Sequence, residues 1–259
     1  MTTTYTSYKL ITADLQTSLS RVQEQPDVKS ETEYYLSKIS SIKSVDEFFA
    51  DSRLYNYVMK AHGLEDMAYA KAFMRKVLTE GTEDEAAFAN QLSDTRYKEL
   101  AESLNFAKHG EFATGFERAQ KGVVDKYARQ TLEVSAGEDN TGVRLALYFE
   151  RMASSITSGY SIIADDALAQ VVRTALQLPA EFAGTDIDRQ AAYYEEALNL
   201  EDFKDTSKVG KFLERFTAMW ELENPSGSYD PLTVFQSSSL TGISTDLLIS
   251  INNLKLGGR

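Results

Sequence analysis

The chain has 259 residues, 42% of them hydrophobic and 25% charged, an ordinary globular balance with enough length to bury a core. Its formal net charge of -12 repels phosphate backbones and anionic lipid surfaces, so no nucleic-acid partner is expected. With no cysteine there are no disulfides, thiol nucleophiles or cysteine-based metal sites, and no run approaches the roughly 18 to 20 apolar residues that cross a bilayer.

The opening stretch, Met1-Thr2-Thr3-Thr4, has no basic region followed by an apolar core, so no cleaved secretory signal is expected. Tyr8, Ile11, Leu15, Leu19 and Val22 then recur at spacings of three and four, the stripe of one amphipathic helix that Pro26 should end or kink. Ser30-Glu31-Thr32-Glu33 reads as a capping box opening a helix with Leu36, Ile39 and Ile42 on one face. A second capping box, Ser44-Val45-Asp46-Glu47, starts a short helix carrying Phe48 and Phe49. Asp51 or Ser52 begins a helix with Leu54, Tyr57, Val58 and Ala61, which Gly63 can stop in the left-handed conformation. A helix over 65–80 turns Ala70, Phe73, Met74, Val77 and Leu78 inward and stops at Gly81. Thr82-Glu83-Asp84-Glu85 reads as a third capping box ahead of Phe88 and Leu92, and Asp94 caps a helix with Tyr97, Leu100, Ala101 and Leu104. Further helices are expected over 116–136 with Gly137 as stop, then 140–152, 160–178, 186–198 and 205–222. Strand signals are nearly absent before Pro225, so the fold class expected is all-α: a multi-helix bundle of short amphipathic helices.

Three regions follow from this pattern: N-terminal amphipathic helices over 1–43, a main helical body over 44–222, and a Ser/Thr-rich C-terminal tail over 223–259. In the tail, Leu247, Leu248, Ile251 and Leu254 lie at helical spacing, while Leu232-Thr233-Val234-Phe235 could equally be extended. The tail either packs on the core or is partly disordered, or it is an oligomerisation or docking segment that orders on contact. Within the body, Leu54, Val58, Ala61 and Leu64 match Leu168, Val172, Ala175 and Leu178 at constant offset, with Asp51 and Asp165 just before each set. Asp94-Thr95 with Tyr97, Leu100, Ala101 and Leu104 likewise matches Asp205-Thr206 with Val209, Phe212, Leu213 and Phe216. These matches suggest two duplicated helical units, 44–105 and 158–222. Unrelated amphipathic helices also align on their apolar faces, and both readings stay open.

No catalytic, cofactor-binding or metal-ligating set emerges, and no cofactor is expected. His62 precedes the glycine that ends its helix, where a cation is favourable, and His109 sits in a loop without a partner at ligand spacing. The zinc-hydrolase, phosphate-loop, dinucleotide and nucleophile-elbow patterns are all missing. The acidic runs 80–85 and 186–188 fit helix starts, not a calcium loop. Adjacent aromatics are the one hint of a partner: Tyr34/Tyr35, Phe48/Phe49 and Tyr193/Tyr194 imply helices contacted on two sides or exposed rings at an interface. With Leu247, Leu248, Ile251 and Leu254 they form the candidate interaction surface.

The stretches Thr32–Leu36, Asp51–Tyr55, Gly63–Leu78 and Val143–Arg151 together resemble an uncharacterised domain family of alphaproteobacteria whose genes commonly lie among flagellar genes. The resemblance spans about 5–222, and 67–78 is its most specific part. It implies association with flagellar structure, assembly or motility through protein contacts, with flagellar components or the chain itself as partners. Flagellar axial proteins often lack cysteine and are exported without a cleaved signal, so the resemblance implies either the cytoplasm or the flagellum as location. It supplies no catalytic residue, and a non-enzymatic role is expected. The alternatives are a cytoplasmic helical binding or regulatory module and, third, an enzyme built on scattered carboxylates.

Overall fold

The computed structural model describes residues 2–224, which fold into α-helices and 3-10 turns with no strand among them. Side-chain caps decide most boundaries. Thr3 caps α1 (Thr4–Ala13), and Asp14 caps α2 (Leu15–Gln23) by accepting from the Thr17 N–H and hydroxyl at 3.1 and 2.7 Å. The single helix expected from Tyr8 to Val22 is therefore two, because the Asp14 carboxylate satisfies donors that a break exposes. Helix α2 stops at Gln23, just ahead of Pro26 as expected, and Pro26 itself occupies the first position of α3 (Pro26–Ile39), where its missing N–H costs no hydrogen bond. The Ser30–Glu33 capping box consequently lies inside a helix already under way.

Ser44 caps α4 (Val45–Ala50), accepting from the Glu47 N–H, while Glu47 accepts from the Lys43 N–H. Asp51 caps α5 (Ser52–Ala61) through the Arg53 and Leu54 N–H groups. This helix ends in a Schellman turn: Leu64 N–H meets the Met59 carbonyl, Gly63 N–H meets that of Lys60, and Gly63 takes φ +66°. The helix expected over 65–80 divides into a 3-10 turn, Glu65–Met67, and α6 (Lys71–Glu80). Thr82–Glu85 is a turn rather than a cap. Asn90 of α7 (Phe88–Gln91) ties it by donating to the Thr82 and Asp84 carbonyls. Asp94 caps α8 (Thr95–Leu104) as expected, and α9 (Phe106–His109) follows.

The long α10 (Lys121–Asp139) starts later than expected and runs through Gly137; Asn140 then caps α11 (Thr141–Met152). The helix expected over 160–178 is α12 (Gly159–Ile163) and α13 (Asp166–Leu176), separated by Asp165, which caps the second. Asp186 and Asp205 cap α14 (Ile187–Ala197) and α15 (Thr206–Glu223). No helix among the described residues is long and apolar enough to cross a membrane.

Two apolar cores result. The first holds Tyr35, Phe48, Leu54, Met74, Leu104 and Tyr127; the second holds Tyr8, Leu147, Phe149, Val172, Phe216 and Trp220. The hairpin of α10 and α11 joins them, α10 lying on α5 and α2 and α11 on α13, α15 and α1. The break at Asp14 sends α1 to the second core and α2 to the first, so residues 1–43 are shared between the cores.

An offset of 114 residues relates more than the apolar stripes. Ser44 and Ser158 cap α4 and α12, and Asp51 and Asp165 cap α5 and α13. The Tyr34 hydroxyl donates to Asp51, and that of Tyr148 to Asp165. Helices α3 and α4 flank α5 as α11 and α12 flank α13, and α4 meets α6 as α12 meets α14. The second matched pair has different surroundings: α8 lies on α6 and α7, whereas α15 lies on α13, α11 and α1.

Candidate functional site

Buried charge gathers where the cores meet. Arg129 and Arg151 donate through Nε to the same Glu133 oxygen at 3.0 and 2.8 Å, and Arg151 reaches the other oxygen at 2.9 Å. Arg129 also donates to the Leu147 carbonyl at 2.9 Å and meets Glu150 at 3.4 Å. Glu150 accepts from the Tyr8 hydroxyl of α1 at 3.1 Å. Burial, then the Glu150 charge, holds that hydroxyl far above its usual titration range. Two guanidinium groups against two carboxylates leave the seam neutral, which is how charge becomes tolerable out of water.

A second cluster ties helix starts together. Arg96 donates to Asp94 at 2.7 Å and to the Gly63 carbonyl at 2.8 Å, and its Nε stands 3.5 Å from Asp165. Tyr148 donates its hydroxyl to the same Asp165 carboxylate, and burial followed by that charge keeps the phenol protonated. A cleft of about 360 Å³ opens beside them, lined also by Asp66, Gln130 and Arg144. Its chemistry is already committed. Both carboxylates accept helix N–H groups, and Arg96 stands between them, paired closely with Asp94 and more distantly with Asp165. The cluster is built to fasten α8 of the first core to α13 of the second.

His62 is equally occupied. Its Nδ1 lies 2.8 Å from the Val58 carbonyl and so must donate; its Nε2, 2.9 Å from the Ser103 hydroxyl, accepts. Burial, then the Lys126 charge, pushes its pKa down to about 3. The structural role expected at this helix end holds, but the ring is neutral and not the cation anticipated. His109 ends α9 with its ring 4.5 Å from that of Phe116. Among the described residues no cluster of His, Cys, Asp and Glu could hold a metal ion.

The third feature mixes apolar and polar side chains and lies where the ends of the described chain converge. The Thr4 N–H and hydroxyl donate to Glu221 of α15 at 3.0 and 2.6 Å, and Asn140 donates to the Thr4 hydroxyl at 3.0 Å. Trp220 lies so close to Gly142 that a Cβ there would sit 2.3 Å from the indole, so only glycine lets α15 dock on the start of α11. Around this junction runs a cleft of about 590 Å³. Ile11, Ala136, Val143 and Trp220 supply its apolar lining; Thr2, Ser7, Asp139, Asn140, Thr141 and Asn224 supply its polar lining. Asn224 is the last described residue, so the chain continues from the edge of the cleft.

The residues of the candidate interaction surface lie away from this cleft or outside the described residues. Tyr35, Phe48, Phe49 and Tyr194 are buried: Tyr35 donates to the Ala119 carbonyl, and Phe48 and Phe49 both pack against Tyr55. These four belong to the cores and not to a free surface. Helix α4 is contacted on two sides, by α5 and α6, which is why both its phenylalanines are covered. Tyr34 is half-buried beneath Arg53, whose guanidinium lies 4.1 Å from the ring centroid, and Tyr193 is 41% exposed. The two stand on different cores and form no common surface. Leu247, Leu248, Ile251 and Leu254, like the rest of 225–259, lie outside the described residues. The signal for the cleft available in the sequence is the chain's single tryptophan, Trp220, in the last turn of α15.

The family model described as a protein of unknown function, DUF1217, matches residues 61–209, more than half the chain. No curated protein matches. A protein from Agrobacterium tumefaciens with a known X-ray crystal structure is 63% identical, with a TM-score of 0.80 over 86% of this chain and 94% of that one. The helical fold, the capped helix starts and this kinship lead to one assignment: the chain belongs to the DUF1217 family of proteins of unknown function.

Proposed function

We propose that the protein is a non-enzymatic component of flagellar structure or assembly that acts through protein–protein contacts. The observation that carries this reading is the cleft around Trp220. It sets apolar side chains beside hydroxyl, amide and carboxylate groups, the make-up of a surface that receives another polypeptide. The commitment of Asp94, Arg96, Asp165, Glu133 and His62 to caps and ties supports the same reading, since these buried groups are not poised to transfer a proton. The flagellar part draws on the resemblance carried by the segments 63–78 and 143–151.

Fractionation of cells carrying the tagged protein, beside a swimming assay of the deletion strain, tests it. Recovery with flagella or basal bodies and lost swimming is the expected result. Recovery in the soluble fraction with normal swimming would sink the flagellar part and favour a cytoplasmic binding module using the same cleft.

A further inference from the structure

We infer that the Trp220 cleft is the seat of the chain's own C-terminal segment, residues 246–256. The inference rests on the cleft being a docking surface, not on the flagellar assignment.

Three observations carry it. The first is position: Asn224 lines the cleft, so the chain continues from its edge. The 21 residues from 225 to 245 can span up to roughly 70 Å, so the tether does not restrict which end of the segment reaches the site. A tether of this kind holds the segment at an effective concentration on the order of millimolar, so weak docking suffices. The second is shape. Leu247, Leu248, Ile251 and Leu254 would form one apolar stripe on a helix, matching the apolar lining supplied by Ile11, Val143 and Trp220. The third is charge. Asp139 lines the cleft, and Glu138 and Glu223 adjoin residues that do; all three are exposed and take part in no ion pair among the described residues. The segment carries Asp246 at its start and Lys255 near its end, and Arg259 follows it, so its positive charge gathers at the end that carries Leu254. Seated with Leu254 in the cleft, the segment brings Lys255 to the acidic rim. A partner protein using this cleft would have to displace it.

Trp220 is the chain's single tryptophan, so its fluorescence reports the cleft alone. Acrylamide quenching of the full chain is compared with that of the double variant Ile251→Asp, Leu254→Asp, while far-UV circular dichroism confirms an unchanged helical body. For docking with a dissociation constant at or below about a millimolar the tethered site is at least half occupied, and we expect quenching to rise roughly twofold in the variant. The cysteine-free chain also permits a clean second measurement, with Thr141→Cys and Asn252→Cys introduced together. A disulfide within single chains supports the inference. Equal quenching of wild type and variant, or disulfides formed only between chains, overturns it. Neither readout depends on flagella, so the inference can fail while the proposed function stands.

Discussion

Asp51 and Asp165 perform the same local task in opposite surroundings. Each caps a helix through two N–H groups, and each accepts a tyrosine hydroxyl from 17 residues earlier. In the first core the tyrosine is half-buried, roofed by Arg53, which pairs in turn with the partly exposed Glu31 at 3.0 Å. In the second core the same arrangement is sealed: Asp165 is 4% exposed and its charge is answered by Arg96 from the other core. An identical cap is thus a local fixture in one place and the fastening between halves in the other. Burial makes the difference, because the sealed Tyr148 hydroxyl has no water to take the place of its carboxylate acceptor, whereas the half-buried Tyr34 does.

The largest expected effect tests this contrast directly. Asp165→Ala should cost about 2–4 kcal/mol because it removes the α13 cap and leaves the buried Tyr148 hydroxyl without its acceptor, whereas Asp51→Ala should cost about 1 kcal/mol, the value of a helix cap. Urea unfolding of both variants checks it, and equal losses would break the comparison. The next effect sharpens it at the preceding helices. A Cβ at Gly159 would lie 2.3 Å from the Ala191 carbonyl oxygen, so Gly159→Ala should cost about 1–3 kcal/mol by forcing α12 from α14. The position 114 residues earlier is Val45, half-buried on α4, and Val45→Ala should cost no more than about 1 kcal/mol of lost burial. Equal penalties would mean that α4 and α12 meet their neighbours at the same distance.

A further expectation concerns pH. His62 belongs to the first core, and its pKa of about 3 lies below the value of about 6.5 for an unfolded histidine. Between those values the unfolded chain holds more protons, so stability is full above pH 6.5 and declines as pH falls toward 3. From pH 7 to pH 5 the loss should be about 2 kcal/mol, and His62→Gln should remove most of that slope. Denaturant midpoints across the range measure it; an unchanged slope in the variant would show that other groups set the acid limb.

How far the sequence could be read depended on whether its signals were local. The all-α class was legible because Ser44, Asp51, Asp94, Asp186 and Asp205 mark helix starts ahead of a 3.6-residue apolar period. The breaks at Asp14 and Asp165 were not, since the apolar spacing continues through them and only tertiary packing shows the chain turning. The Ser30 and Thr82 capping boxes misled for a related reason: the motif records what a serine or threonine could cap, while Pro26 had already started one helix and Asn90 had tied the other stretch into a turn. The cleft was least legible. Its lining runs from Thr2 to Asn224, so no window of sequence contains it.

Under the proposed function, the cleft receives polypeptide in a flagellar setting. The most direct measurement is swimming and flagellar fractionation of a deletion strain complemented with the double variant Ser7→Arg, Thr141→Arg, two residues that line the cleft. Normal protein level with impaired swimming and lost flagellar association is the expected result. Full swimming and unchanged association, with the variant folded as the wild type, would contradict it.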